Sequence, residues 1–224
     1  MTKETIYAAV TKHQKSAISI IRVSGPKSKK ITLLFCKKEV KPHATNLRKL
    51  YSSDGEIVDK GIVLYFPGPN SPTGEDVIEF HVHGSVSVVR KIEDELSKIK
   101  MVREANPGEF TKRAFYNNKI DLLQVEGLGD LLDAYTDLQR KQAQLSLLGS
   151  ISKKINVWKR ELIELSSFIE TTIDFSDEVV PEESIVLFNT KLDFLIKQVT
   201  EALKKANFSK KIKEGVKIII TGPP

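Results

Sequence analysis

Residues 106–127, NPGEFTKRAFYNNKIDLLQVEG, separate two parts of the chain that have different sequence patterns. Upstream of this segment the sequence has short apolar runs and many turn residues, which are typical of a mixed α/β domain. Downstream, apolar residues recur every three or four positions over long stretches, which predicts helices. The segment therefore marks the change from an α+β domain to an all-α domain.

The segment itself predicts a short helix, a turn and the start of a second helix. Residues 109–116 can form a helix, and Asn118 can end it because asparagine tolerates a left-handed backbone. Asp121 is a good N-cap for the next helix, with Gln124 three residues on, as in a capping box. Lys119 is therefore expected in a fixed position between two helix ends.

Upstream of the segment, short β-branched runs bounded by turn residues predict strands. Asp54-Gly55 is a two-residue turn signal that predicts a hairpin. The apolar run 61–66 predicts a further strand, buried on both faces. The predicted elements are strands at 5–10, 17–23, 50–52, 56–58, 61–66 and 76–83, a helix at 28–36 and a helix that starts at 84–85.

Polar side chains within these strands are candidate site residues. Arg22 lies in an otherwise apolar strand, so it either emerges at a sheet edge or pairs with a buried anion. Glu79, His81 and His83 recur at period two, which places them on one strand face. A His-x-His pair is also found in zinc sites, but no cysteine cluster accompanies it here, and no metal site is expected. The proline- and glycine-rich segment 67–76 is either a ligand wall or a stiff surface connection.

Downstream of the segment, no proline occurs between residues 122 and 173, and two apolar seams predict about 75 Å of helix if it were straight. The register of these seams shifts beside Gly149, which predicts a kink or a break there. A further helix is expected at 184–206, after an acidic connection. Helices of this length need a partner helix, another domain or a second subunit.

The last residues suggest the start of a third fold. Residues 215–221 form an apolar run typical of a buried parallel strand, and Gly222 follows where a phosphate-binding loop could begin. That loop needs Gly-x-x-x-x-Gly-Lys-Ser/Thr, of which the chain has only the first three positions. Gly222 is therefore the candidate nucleotide-binding residue, and a strand without its sheet predicts a truncated longer protein.

Composition limits the class of protein. The chain has 224 residues, a net charge of +6 and one cysteine, Cys36, so an intramolecular disulfide is impossible and a reducing compartment is expected. No apolar run approaches the roughly 20 residues that span a bilayer, which predicts a cytoplasmic protein. The positive charge indicates either an anionic partner or a solvated lysine-rich surface.

Several motifs occur along the chain in a specific order: RVSG at 22–25, FPGPNSPTGED at 66–76, HG at 83–84, PGEFTKRAF at 107–115, NKIDL at 118–122 and IDF at 173–175. In this order they resemble the MnmE (TrmE) family of tRNA-modifying GTPases. Two segments depart from the family pattern: residues 11–16 replace a glycine-rich turn, and Ser85 replaces a glycine.

The resemblance implies three domains. Residues 1–118 would form an N-terminal domain that binds tetrahydrofolate and drives homodimerisation, and residues 119–213 the first part of a helical domain. Residues 214–224 would be the first strand of an inserted α/β Ras-like GTPase domain. The fold class implied is α+β followed by all-α.

The resemblance also assigns Arg22, Glu79 and Lys119 to the cofactor, 5-formyl- or 5,10-methylene-tetrahydrofolate. A carboxylate such as Glu79 can accept hydrogen bonds from the amino and ring NH groups of a pterin in a bidentate way. Arg22 and Lys119 can hold the formyl oxygen or the glutamate tail, and which of them holds which stays open. No catalytic residue and no metal ligand is assigned. Arg113 and Asp121 either touch the ligand or pair with each other, and the structural pair is favoured.

A full-length relative would use GTP, Mg²⁺ and K⁺. With its FAD-dependent partner MnmG (GidA) it would add a carboxymethylaminomethyl group to carbon 5 of the wobble uridine of certain tRNAs. This chain alone is expected to be inactive as a GTPase, because the phosphate-binding loop is incomplete. The alternatives are a stand-alone folate-binding protein similar to aminomethyltransferases and a non-catalytic dimerisation module.

Overall fold

The computed structural model describes residues 4–11, 14–175, 179–214, 219 and 221–222. The chain divides into two compact units. We call residues 1–120 the N-terminal unit and residues 121–224 the C-terminal unit, and each is described by itself.

The N-terminal unit is built on a six-stranded sheet with the strand order β3-β4-β5-β2-β1-β6. Strand β6 runs parallel to β1, and all other neighbouring strands are antiparallel. Its elements are β1 (Thr5–Ala9), β2 (Ser16–Ser24), α1 (Ser28–Cys36), β3 (Asn46–Tyr51), β4 (Ile57–Phe66), β5 (Val77–Gly84), α2 (Val86–Ser97), β6 (Val102–Glu104) and α3 (Glu109–Tyr116).

The core of this unit lies between one face of the sheet and helices α1 and α2. Val23, Ile78 and Phe80 point to this face and are fully buried against apolar residues of the two helices, among them Phe35 and Ile92. Because side chains alternate along a strand, the residues between them point to the opposite face. We call that opposite face the second face of the sheet.

The second face carries a row of side chains across four strands. The register pairs Ala8 with Arg22, Arg22 with Glu79, and Glu79 with Leu64. Two charged residues thus lie side by side in the middle of the sheet, since β2 and β5 are both interior strands.

Most elements of this unit lie where the sequence predicts them, with one correction. Helices α1 and α3 have the predicted bounds, and the hairpin at Asp54-Gly55 joins β3 to β4. The prediction of a separate strand at 61–66, buried on both faces, was wrong. That run is the second half of β4, where Val63 is buried and Ile62 is exposed, so burial alternates. Strand β6 has only three residues, too few for a periodic signal.

The C-terminal unit consists of α4 (Leu122–Leu132), α5 (Asp137–Leu147), α6 (Ser150–Asp174) and α7 (Glu182–Glu214). The predicted break at Gly149 is confirmed, and this glycine has a φ of +74° at the start of α6. A second break, between α4 and α5, was not predicted. Thr136 caps α5 there by accepting a hydrogen bond from the Gln139 N–H, and the Gln139 side chain bonds back to the cap, so Thr-x-x-Gln was the available signal.

Close packing holds these helices together in two places. Gly127 of α4 lies so near α5 that a Cβ atom there would be 2.6 Å from the backbone nitrogen of Leu147. Helices α6 and α7 pair antiparallel, so a partner helix, one of the three expected alternatives, lies against α6. The rings of Phe168 and Phe188 stack with centroids 5.2 Å apart, and the Trp158 indole N–H donates to Gln198.

The predicted strand 215–221 lies largely outside the described residues. Gly222 is described, without a helix or strand assigned to it. Within the described ranges, no helix is both long enough and apolar enough to cross a membrane.

Candidate functional site

Arg22 and Glu79 form an ion pair at the centre of the second face. The Arg22 Nε atom lies 2.8 Å from Glu79 Oε1, and its Nη2 atom lies 2.7 Å from the same oxygen. The Arg22 side chain is 28% exposed and that of Glu79 is 12% exposed. Because β2 is an interior strand, Arg22 does not emerge at a sheet edge, and the anion that it pairs with is Glu79.

His81 occupies the other oxygen of the same carboxylate. Its Nε2 atom lies 3.2 Å from Glu79 Oε2, so both Glu79 oxygens have a partner. His83, two residues on, has a different partner: its Nδ1 atom and its backbone N–H both contact the Asp59 carboxylate at 2.8 Å. Burial raises the pKa of Asp59, but the hydrogen bonds from His83 outweigh it and hold that pKa below its ordinary value. Glu79, His81 and His83 therefore share one strand face, as the sequence predicts. They do not form a single cluster, because His81 contacts Glu79 and His83 contacts Asp59.

Phe110 of α3 lies against Arg22, with its ring centroid 5.6 Å from the guanidinium carbon. A cation over an aromatic face at this distance is attracted by the ring. The sequence indicated Phe110 only as an apolar helix residue. No local pattern could reveal its contact with Arg22, because the two residues are far apart along the chain.

Lys119 does not contact Arg22 or Glu79 in the described structure; its side chain contacts the loop 67–76. Its ammonium donates to the Pro69 carbonyl oxygen at 2.9 Å, and its backbone N–H donates to the Ala114 carbonyl. The neighbouring Asn117 amide donates to the Thr73 carbonyl at 2.7 Å. The structure therefore brings Arg22 and Glu79 together, whereas the Lys119 side chain is hydrogen-bonded to the loop 67–76.

Polar contacts fix the loop 67–76 to the rest of the unit. The Ser24 and Thr73 hydroxyl oxygens lie 2.7 Å apart, and the Ser24 hydroxyl donates to Glu75 at 2.8 Å. Gly74 has a φ of +78°, and a Cβ atom there would lie 2.8 Å from the Asn117 Cβ atom, so only glycine fits this turn. The loop is a stiff connection as the prolines indicate, which is compatible with its use as a ligand wall.

Arg113 is the centre of a buried ionic cluster that includes the loop. Its guanidinium contacts Glu75 at 2.9 Å and Glu109 at 3.1 Å, and Arg103 makes two further bonds to Glu109. The favoured pairing of Arg113 with Asp121 was wrong, because Arg113 contacts Glu75 and Glu109 instead. Asp121 caps α4 by accepting from the Gln124 N–H, which confirms the predicted capping box.

The Glu109 carboxylate is strongly stabilised in its ionised form. Hydrogen bonds from Arg103 lower its pKa most, burial opposes them, and the Asn106 backbone N–H and Arg113 lower it further, to about 2. Arg103, Glu109 and Arg113 therefore hold α3 against the strands as a cluster that stays charged down to low pH.

The second face combines hydrogen-bonding groups and apolar surface around Glu79. Each carboxylate oxygen has two lone pairs, so Oε1 of Glu79 is fully used by the two Arg22 contacts, whereas Oε2 keeps one lone pair beyond His81. Leu64 is a strand neighbour of Glu79, and Phe110 lies over Arg22, so apolar surface lies beside the charges. Few polar groups among apolar surfaces are typical of small-molecule sites. These residues fit a pterin. Among the residues that the structure describes, no group of three or more His, Cys, Asp or Glu could hold a metal ion.

Comparisons with known proteins give the same two divisions of the chain. Residues 5–119 match the family described as GTP-binding protein TrmE N-terminus, and residues 122–217 match the MnmE helical domain. The chain is 42% identical over 225 residues to the tRNA modification GTPase MnmE of Wolbachia sp. subsp. Drosophila simulans, covering 100% of this chain and 50% of the relative.

Other relatives with the same name give similar values. Identity is 40% over 221 residues for the protein of Roseobacter denitrificans, covering 99% of this chain and 52% of the relative. It is 41% over 221 residues for that of Pelagibacter ubique, covering 98% of this chain and 50% of the relative. The chain spans about half the length of the curated relatives that it matches.

Proposed function

The chain belongs to the MnmE (TrmE) family, and we propose that it supplies the folate-binding and helical parts of a tRNA modification GTPase. The observation that carries the folate assignment is the Arg22–Glu79 pair on the second face, with His81 on the second carboxylate oxygen and Phe110 over the guanidinium.

Each proposed ligand residue has a separate task. Glu79 accepts hydrogen bonds from the amino and ring NH groups of the pterin, while Arg22 keeps the carboxylate oriented and adds a donor. Lys119 supplies positive charge for the formyl oxygen or the glutamate tail. An ammonium has three donors, and the Pro69 carbonyl occupies only one of them. The bound 5-formyl- or 5,10-methylene-tetrahydrofolate would supply the one-carbon group.

The N-terminal unit is proposed to form a homodimer through the second face. Ile18, Leu47 and Ile62 are 60%, 56% and 38% exposed there. Leu47 pairs with Ile62 across β3 and β4, and Ile18 lies on β2, beyond β5 on the same face. Clustered apolar surface of this kind marks interaction sites. Light scattering of the 224-residue chain should give twice the monomer mass, and a monomer at all concentrations would contradict this part of the proposal.

The remaining activities are proposed for the whole protein. They are GTP hydrolysis with Mg²⁺ and K⁺, and modification of the wobble uridine of tRNA together with MnmG in the cytoplasm. Support comes from the name of the relatives, tRNA modification GTPase. Gly222 is proposed as the start of the nucleotide loop, after domains at 1–118 and 119–213. Sequencing the gene beyond codon 224 tests this, because Gly-Lys-Ser/Thr should follow.

Calorimetric titration with 5-formyltetrahydrofolate tests the folate site. The wild-type chain should bind at micromolar ligand, and Glu79→Gln should weaken binding at least tenfold while the thermal midpoint stays within a few degrees. Glu56→Gln is the matched control, since it removes an exposed carboxylate next to the hairpin turn and should bind as the wild type does. Absence of heat from the wild type at high-micromolar ligand would exclude the folate assignment. Unfolding of the Glu79 variant would make that residue structural instead.

A further inference from the structure

The positive charge of the protein is concentrated in the N-terminal unit. Residues 1–120 contain 21 Lys and Arg against 13 Asp and Glu, whereas residues 121–224 contain 14 against 16. Within the N-terminal unit, residues 27–41 hold six lysines and a single acid, Glu39. This segment is therefore the most basic part of the N-terminal unit for its length, and it comprises α1 and the loop after it.

Helix α1 turns its lysines away from the core. Ile31 and Phe35 are buried against the sheet, whereas Lys29 and Lys30 are exposed on the opposite side of the helix. The loop that follows α1 carries two more exposed lysines, Lys38 and Lys41, and its residues Glu39, Val40 and Pro42 line a surface cavity together with Lys29. We call the side chains of Lys29, Lys30, Lys38 and Lys41 the α1 basic surface.

The charges within α1 do not explain why lysines occupy positions 29 and 30. Lys29 and Lys30 lie in the first turn of α1, which contains no acidic residue. A helix N-terminus carries partial positive charge, so cations there reduce helix stability by about 0.3–1 kcal/mol each. Two lysines at this end therefore oppose the stability of the isolated helix, and a bound anion would relieve the repulsion.

Carboxylates of the unit do not neutralise the α1 basic surface. Within the ranges that the structure describes, none of its four lysines forms an ion pair, while Glu95 pairs with Lys91 and Lys98 in α2 and just beyond it. Glu79 and Glu109 are bound by arginines. The nearest acid along the chain, Glu39, balances one of the six positive charges.

We propose that the α1 basic surface binds the phosphate backbone of tRNA. The inference rests on the proposed function, which makes tRNA the substrate, and adds the surface that holds it. Clustered lysines are suited to this task because phosphate contacts position a nucleic acid without reading its sequence. Leu33 and Leu34 lie between these lysines along the chain and are exposed. Their side chains are aliphatic, so recognition of the tRNA sequence is expected from other parts of the whole protein.

Filter binding of a labelled tRNA transcript to the 224-residue chain, between 50 and 200 mM KCl, tests the proposal. The test variant replaces Lys29, Lys30, Lys38 and Lys41 by glutamine. It should lose at least tenfold in affinity at 100 mM KCl. The slope of log affinity against log salt should become shallower by about 3–4, because each of the four lost phosphate contacts removes about 0.7–0.9 from it.

The matched control replaces Lys153, Lys154, Lys197 and Lys204, which are exposed on α6 and α7, by glutamine. It removes the same charge from the C-terminal unit and should bind tRNA within twofold of the wild type. Equal losses in the two variants would show a net-charge effect and overturn the assignment, as would unchanged binding by the α1 variant.

Two further measurements separate this proposal from the folate site and from a lipid partner. The α1 variant should keep its calorimetric response to 5-formyltetrahydrofolate. A wild-type chain that binds the folate but not tRNA would refute the RNA surface alone, whereas one that binds tRNA through α1 but not the folate would refute the folate site alone. Co-sedimentation with phosphatidylserine vesicles, without tRNA binding, would replace RNA by a membrane surface.

Discussion

The two units of the protein differ in how far their charged and apolar side chains are buried. In the N-terminal unit Arg113 is 4% exposed, and it is bonded to Glu109 inside the ionic cluster. In the C-terminal unit the pair of Arg140 and Asp137 has side chains that are 50% and 62% exposed. A buried pair is costly to break, whereas an exposed pair contributes little, so charge holds the first unit together much more than the second.

Apolar side chains follow the same division between the two units. The sheet and helices α1 and α2 enclose one continuous core, in which Phe80, Ile92 and Leu96 are fully buried. In the C-terminal unit, Leu162 and Ile196 remain more than half exposed beside the α6–α7 groove. We therefore expect the N-terminal unit to unfold at higher denaturant concentration than the C-terminal unit, since burial of apolar area is the main favourable term.

Two single residues allow each unit to be followed alone. Cys36 is the only cysteine, it is buried in the N-terminal unit, and burial raises the pKa of its thiol to about 11 despite the opposing effect of Arg48. Its reaction with a thiol reagent therefore reports unfolding of that unit. Trp158 is the only tryptophan and lies between α6 and α7, so its fluorescence reports on the C-terminal unit.

Arg113→Met should give the largest loss of stability. It leaves Glu75 and Glu109 without one of their cationic partners in a buried place, which costs about 3–5 kcal/mol in comparable cases. Urea unfolding followed by Cys36 reactivity should shift to clearly lower urea, with the Trp158 transition unchanged. Arg140→Met is the control on the exposed pair and should move neither transition. Equal shifts for the two variants would remove the contrast between the units.

Acid should destabilise the N-terminal unit next most strongly. The pKa of Glu109 is about 2 in the folded protein against an ordinary value of 4.5. A lowered pKa gives stability that is fully present above pH 4.5 and is lost as the pH falls towards 2. This corresponds to about 3 kcal/mol, because one pKa unit equals 1.36 kcal/mol.

Urea unfolding at pH 6, 4 and 3, with an acid-tolerant dipyridyl disulfide reacting at Cys36, measures this loss. Glu109→Gln removes the titrating group, so the variant should start less stable and lose less between pH 6 and pH 3 than the wild type does. A pH dependence that is the same in both proteins would show that other carboxylates cause it.

Two glycines of α4 test how tightly the C-terminal unit is packed. Gly127→Ala places a Cβ atom 2.6 Å from the Leu147 backbone nitrogen, and overpacking of this kind costs about 1–3 kcal/mol. Gly129→Ala is the control, because a Cβ atom there meets nothing within 4 Å and alanine favours a helix by up to about 1 kcal/mol. Thermal unfolding by circular dichroism should fall for the first variant and rise for the second. A fall in both would mean that α4 tolerates no added side chain.

Local signals in the sequence predict the parts of the fold that depend on neighbours along the chain. The bounds of α1, the cap at Asp121 and the break at Gly149 follow from capping residues, glycine and periodicity. Contacts between distant segments could not be predicted. Arg22 meets Glu79 across 57 positions and Arg113 meets Glu75 across 38, and only the sheet register and the loop geometry bring them together.

Thr136→Ala should give the smallest effect, and it tests the break between α4 and α5, which the sequence did not predict. The end of α7 was also not predicted, since the helix expected at 184–206 extends to Glu214. The Thr136 hydroxyl accepts the Gln139 N–H at the start of α5, and losing such a cap costs about 1 kcal/mol. The control is Thr190→Ala in α7, whose hydroxyl only donates to the Val186 carbonyl of its own helix. We expect thermal unfolding to fall slightly for Thr136→Ala and to stay level for Thr190→Ala. If Thr136→Ala is neutral instead, the close packing at Gly127, and not the cap, sets where α4 ends and α5 begins.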